Sequence, residues 1–301
     1  MSVITPSIHA QLSQLIGAEL TEAAALDAFN RITLSLSAEP GGDSIIAADE
    51  TAADAVAAVE GVSSADAVAA RNRRTIGVIA EAVKLGHMLL TPTNPAWPAR
   101  LNDLGARRPV LLWARGNLAV LSGDSVCLTG ARASSAYGEQ MAAHLTAGLA
   151  GVTLMNGGAY GIDAATLRVA LRNDLPTVVV QASGIDRVYP AAHSELNDRV
   201  ATNGLIVTEY APGTAPTRWR FLRRNVVIAA LASATVIIEA GARSGSLSVA
   251  GNALELGRPV GAVPHSALSS TGEGPHRLIR EHGAALVTSS ADIMSLAKDG
   301  A

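Results

Sequence analysis

From Ser125 to Val287 the chain alternates short, nearly continuous apolar runs with longer amphipathic segments, and this alternation restricts the fold more than any other feature. The runs are Ser125–Thr129, Val152–Asn156, Thr177–Gln181, Leu205–Thr208, Thr235–Glu239, Val260–Val263 and Ala285–Val287. Each is too short for a helix and apolar without alternation, the pattern of a strand buried on both faces. The segments between them, Tyr137–Leu149, Ile162–Asn173, Ser194–Thr202, Phe221–Leu231, Ser246–Leu256 and His276–His282, read as helices. Repeated strand–helix units connect by right-handed crossovers, so an α/β fold with a doubly wound, mostly parallel sheet is expected. Its ligand crevice should lie beyond the carboxyl ends of the strands. Composition agrees: 49% of residues are hydrophobic but only 3% aromatic, so the core is built from small aliphatic side chains.

The sheet is expected to follow a small helical domain. Leu12, Leu15, Ile16, Leu20 and Leu26 recur at helical spacing, and an Ala-rich segment from Thr51 to Ala70 sets acidic residues on its other face. Between them, Glu39-Pro40-Gly41-Gly42-Asp43 has turn chemistry. Pro92, Pro95 and Pro98 forbid a continuous helix and mark a connector. The expected division is a helical domain at 1–90, a connector at 91–120 and a ligand-binding domain at 121–301.

Several function classes are disfavoured. Cys127 is the only cysteine, and the histidines His193, His265, His276 and His282 show no ligand spacing, so neither a disulfide framework nor a metal site is expected. Lys84 and Lys298 are the only lysines and no P-loop pattern occurs. Gly157-Gly158-Ala159-Tyr160-Gly161 misses the dinucleotide spacing, so a nicotinamide cofactor is not expected, nor any other. Met1 to Gln14 lack the charged and apolar regions of a signal peptide, and no apolar stretch is long enough to span a bilayer, so a cytoplasmic protein without a membrane partner is expected. The net charge of −3 is uneven: residues 1–99 hold 5 Lys and Arg against 11 Asp and Glu, and residues 100–301 hold 18 against 15.

The candidate site follows from what stands after the apolar runs. Three Gly-containing loops, two of them also rich in Ser, each enter a helix: Gly130-Ala131-Arg132-Ala133-Ser134-Ser135 with Tyr137 and Gly138, Asn156-Gly157-Gly158-Ala159-Tyr160-Gly161, and Gly241-Ala242-Arg243-Ser244-Gly245-Ser246. Glycine lets backbone N–H groups approach an anion, and a helix N-terminus favours negative charge. Thr217-Arg218-Trp219-Arg220-Phe221-Leu222-Arg223-Arg224-Asn225 is the densest basic stretch and is interleaved with two aromatics. Arginines suit phosphates and aromatic faces suit bases, so single-stranded nucleic acid fits both. The expected contacts are Gly130, Arg132, Ser135, Tyr137, Gly138, Asn156, Gly157, Gly161, Arg218, Arg220, Arg223, Arg224, Asn225, Ser244, Gly245 and Ser246. Asp163 is expected to cap the helix after its loop, and Glu239 either ties down the third loop or meets the ligand. Both support the loops. Alanine at Arg223 and Arg224 together should weaken binding and flatten its salt dependence.

These segments, in order, resemble the DprA (Smf) family. The resemblance runs from Thr91 to Ile293 through Trp97-Pro98-Ala99-Arg100-Leu101, Arg108–Gly116, Gly130-Ala131-Arg132, Asn156–Asp163, Gly184-Ile185-Asp186 with Tyr189-Pro190, Phe221 with Arg223-Arg224-Asn225, and Ser244-Gly245-Ser246-Leu247. It implies a Rossmann-like domain that binds single-stranded DNA, forms a homodimer, helps load the RecA recombinase in DNA uptake or recombination, and performs no catalysis. An alternative from the same superfamily is a binder or sensor of a nucleotide-derived small molecule. Hydrolysis is disfavoured, because the superfamily's hydrolases carry a glutamate where this chain has Ser244-Gly245-Ser246-Leu247-Ser248.

Overall fold

The computed structural model describes residues 3–37, 51–61 and 64–300. The turn read at Glu39–Asp43 lies outside these residues. The chain divides into two units, one made of Met1–Arg115 with Ser183–Arg187 and Val207–Ala215, the other of Gly116–Ala182, Val188–Ile206 and Pro216–Ala301.

The first unit is built on four helices, α1 (Pro6–Ile16), α2 (Glu22–Ser37), α3 (Ala52–Gly61) and α4 (Ala65–Lys84). Local chemistry sets their ends. Thr5 caps α1 through its hydroxyl, Pro6 occupies the first turn where no N–H is required, and Gly17 closes the helix at φ 75°. Ser64 caps α4, so the Ala-rich segment from Thr51 to Ala70 is shared between two helices. Leu12, Leu15, Phe29, Ile32 and Ile79 are buried, whereas Leu26 is exposed and Leu20 lies outside the helices. Two further strands pair antiparallel, β1 (Met88–Leu90) and β2 (Leu112–Gly116), with Leu89 opposite Trp113. The three prolines and a 3₁₀ stretch over Ala99–Arg107 connect them.

In the second unit, β3 (Ser125–Thr129), β4 (Thr153–Asn156), β5 (Thr177–Val180), β7 (Ala234–Ile237), β8 (Val260–Ala262) and β9 (Ala285–Leu286) run parallel in the order β5-β4-β3-β7-β8-β9; β6 (Leu205–Thr208) precedes β7 in the chain. The chain winds outward from β3 in one direction, then returns to β7 and winds in the other. Helices α5 (Ala136–Ala147), α6 (Ile162–Arg172) and α7 (Ser194–Asn203) pack in sequence, and α8 (Arg218–Leu231) packs on α9 (Leu247–Glu255). α10 (Glu273–His282) and α11 (Ser290–Asp299) complete the unit. Every residue of β3, β4, β5, β7 and β8 is buried, as strands covered on both faces must be. The switch point falls between β3 and β7, where loops leave in opposite directions and open a crevice. Among the described residues no helix is long and apolar enough to cross a membrane.

Candidate functional site

At the carboxyl ends of β3, β4 and β7 the three Gly-rich loops converge, with the first turns of α8, on a cavity of about 1130 Å³. Its lining takes in Gly130 and Arg132 from the first loop, Gly157 from the second, Ser244, Gly245 and Ser246 from the third, and Arg218, Arg224 and Asn225 from α8. These segments lie far apart in sequence, so the crossover topology alone assembles them.

The glycines allow close backbone approach. A Cβ on Gly157 would collide with the Arg224 guanidinium, and one on Gly161, at φ 71°, with the Ala131 carbonyl. Asp163, 3% exposed, holds the second loop: Oδ1 accepts from the Thr129 hydroxyl at 2.7 Å, and Oδ2 accepts from Gly157 N–H and Ala159 N–H at 3.2 Å each. It bonds loop amides, and the amino end of α6 has no side-chain cap, so the capping role expected for Asp163 is corrected. Glu239 is fully buried and accepts from Ser135 N–H and the Ser135 hydroxyl, both at 2.7 Å, which ties the end of β7 to the start of α5. Ser135 in turn caps α5 by accepting from Gly138 N–H at 3.0 Å. Gly138 is required there because a side chain would strike the Glu239 carboxylate.

The basic stretch separates by helical phase. Arg224 is 6% exposed; its Nη1 donates to the Gly157 carbonyl at 2.8 Å and the Val180 carbonyl at 3.2 Å, and its Nε to Asn225 Oδ1 at 3.0 Å. Arg223 is 5% exposed and outside the cavity lining. Both were expected to meet phosphate; Arg224 reaches the cavity lining with its guanidinium engaged by these carbonyls, whereas Arg223 lies off it. Arg220 also lies off the lining. Asn156, also expected at the ligand, is fully buried and off the lining; its Nδ2 donates to Leu128 O, Asp163 O and Thr166 Oγ1 while its Oδ1 accepts from Gly158 N–H. Asn225 spans to the third loop, donating to Gly245 O at 3.2 Å and Ser248 Oγ at 2.7 Å. Gly161 and Gly138 shape the loops without lining the cavity.

Ser135 and Tyr137 line a second, smaller cavity of about 430 Å³ instead. Sequence reasoning passed over Arg243 and Tyr189 as contacts, although both lie on the large cavity. The signal for Arg243 was its place in a loop of the right type. Phe221 is flanked by the Tyr189 ring, centroids 5.2 Å apart, and by the guanidinium carbons of Arg132 at 5.0 Å and Arg224 at 5.6 Å. Trp219 is 53% exposed and off the lining. Arg132, Arg218 and Arg243 are exposed, and none forms an ion pair among the described residues, whereas Asp163, the carboxylate in the lining, is occupied by the loop. The site is therefore electropositive and suited to phosphate. Cys127, buried in β3, is no nucleophile: burial, reinforced by Asp163, pushes its thiol far up. Among the described residues no group of three or more His, Cys, Asp or Glu could hold a metal ion.

A family model for DNA recombination-mediator protein A matches residues 88–298. A DNA processing protein DprA of Mycobacterium tuberculosis is 45% identical over 240 residues, 74% of this chain and 61% of that protein, so the chain spans less than two thirds of that relative's length. The DNA processing protein DprA of Streptococcus pneumoniae is 39% identical over 188 residues, 62% of this chain and 66% of that protein. The solved structure of DNA processing protein A from Streptococcus pneumoniae matches with a TM-score of 0.68 and 33% identity, over 75% of this chain and 81% of that one. That of DNA processing protein A from Helicobacter pylori, described for its single-stranded DNA binding mode, matches with a TM-score of 0.64 and 27% identity, over 71% and 96%. The Rossmann-like fold expected from the sequence is thus shared with these structures, and with the model matched over most of its length, the chain belongs to the DNA recombination-mediator protein A family, whose members include the DprA and Smf proteins.

Proposed function

We propose that the large cavity binds single-stranded DNA through its phosphates, and that the protein serves as a cytoplasmic recombination mediator that helps place a RecA recombinase on the strand. In this reading it acts as a homodimer, without a cofactor and without catalysis. The observation that carries the reading is the trio Arg132, Arg218 and Arg243, exposed around one cavity and without ion-pair partners among the described residues. Glycine loops let phosphate oxygens approach backbone N–H groups, and Phe221 with Tyr189 offers rings on which a base can stack. The single-stranded DNA binding described for the Helicobacter pylori relative supports the same ligand.

Fluorescence anisotropy of a labelled oligonucleotide, titrated at several salt concentrations, tests this. Single-stranded contacts contribute a slope of about −0.7 per phosphate, so three arginines predict about −2. Arg218→Ala with Arg243→Ala should reduce it to about −0.7. An undiminished slope would remove these cations from the interface. A cavity of about 1130 Å³ also admits a nucleotide-derived small molecule, the second reading. Tight mononucleotide binding without oligonucleotide binding in the same titration would select it.

A further inference from the structure

We propose that the smaller cavity is a second nucleoside subsite, which takes one uncharged base-and-sugar unit of a strand whose phosphates sit in the large cavity. The inference rests on the single-stranded DNA reading and adds to it where the strand goes next.

The cavity, about 430 Å³, is lined by Ser135, Tyr137, Pro264, His265, Ser266 and Ser269. The two cavities draw on the same two segments of chain: Arg132 and Ala133 line the large one and Ser135 the small one, while Thr271 lines the large one and Ser269 the small one. A strand that leaves the large cavity along either segment runs toward the small one. The small cavity's lining differs in kind: it holds no Arg, Lys, Asp or Glu, so it lacks the charged donors that the large cavity offers a phosphate. What it offers is a preformed aromatic corner. The Tyr137 hydroxyl donates to the Pro264 carbonyl at 2.8 Å, and His265 Nε2 is tethered to the Ile238 carbonyl at 2.8 Å. The rings are thereby held 4.9 Å apart at 73°, yet Tyr137 remains 42% exposed. A ring fixed at its hydroxyl end loses little further freedom when a base stacks on it. The Ser266 hydroxyl, which accepts from Leu268 N–H at 3.4 Å, keeps its proton for a sugar or base acceptor. The volume lies at the lower end of ligand clefts, about 300–1000 Å³, enough for one nucleoside and too small for a duplex end.

The test uses the full chain and an oligothymidine carrying 5-iodouracil, photocrosslinked and mapped by peptide mass spectrometry. The expected result is adducts at Tyr189 or Phe221 and also at Tyr137 or His265. In anisotropy titrations Tyr137→Leu, with its melting midpoint checked, should weaken strand binding about fivefold or more, as the loss of one stacked base does, with the salt slope unchanged. Tyr137→Phe keeps the ring but frees it from the Pro264 carbonyl, and should lose clearly less affinity than Tyr137→Leu. Adducts confined to the large cavity, undiminished binding by Tyr137→Leu, or an equal loss in Tyr137→Phe would each overturn the subsite and leave the proposed function standing. Failure of the unaltered protein to bind the strand would remove both.

Discussion

Replacing Arg224 by methionine separates a strut from a phosphate contact. The guanidinium gives Gly157 O a hydrogen bond of 2.8 Å and Val180 O one of 3.2 Å in a site only 6% exposed, so methionine fills much of the volume but leaves both carbonyls without this donor. Hydrogen bonds to charged groups contribute about 1.5–3 kcal/mol each, and removing one partner of a buried polar contact carries the full desolvation cost of the other. Two such losses come to about 3–5 kcal/mol, after allowing for partial relaxation. For a unit of this size each kcal/mol lowers the melting midpoint by about 2–4 °C, so a fall of about 6–20 °C is expected. Thermal unfolding followed by circular dichroism reads this directly, and Arg224→Lys should fall between, since an ammonium cannot reproduce the fork between Gly157, Val180 and Asn225. A midpoint within about 2 °C of the unaltered protein, together with a flattened salt slope for DNA, would refute the strut and return Arg224 to the ligand.

Gly161→Ala puts a Cβ against the Ala131 carbonyl at φ 71°, whereas Gly17→Ala, at φ 75°, meets nothing within 4 Å. Denaturant titration should therefore show a clearly larger loss at Gly161 than the strain of about 1–2 kcal/mol expected at Gly17, and equal losses would mean that the loop shifts freely. His87 is buried with neither ring nitrogen hydrogen-bonded; burial first, then the charge of Arg115, holds its pKa below 6.5. Its stabilising contribution is thus complete above the unfolded value and is lost as pH falls below it. His87→Leu should flatten the fall in stability between about pH 6.5 and pH 5, and parallel curves for the two proteins would remove the assignment. The Cys127 thiol, pushed up by burial, should resist an aromatic disulfide reagent in the native protein and react on unfolding. Rapid labelling without denaturant would contradict its burial.

The seven apolar runs marked the strands to within a residue or two at most ends because a strand covered on both faces has no polar phase to conceal it. The ligand edge followed from the same pattern, since parallel crossovers leave glycine loops at one end of the sheet. β1 and β2 escaped notice: Met88–Leu90 is a three-residue run beside a proline-rich connection, and its pairing with Leu112–Gly116 depends on a partner distant in sequence. α11 followed the last nominated run and was not distinguished.

The amino-acid sequence by itself determined the α/β class, the order of elements, and the gathering of arginine and glycine where phosphate could be held. Only the tertiary structure decided which arginines face outward. On α8, Arg218, Phe221, Leu222 and Asn225 lie at intervals of three and four on the cavity side, while Arg223 lies off the lining and Arg224, which reaches it, is held by carbonyls of the second loop and of the end of β5. A cluster of like residues carries no mark of helical phase, and phase relative to a core is set by the elements that pack against it. The division of one expected site into two cavities has the same origin: Ser135 and Tyr137 stand only a few residues beyond Arg132, but the turn into α5, clasped by Glu239, carries them across the loop.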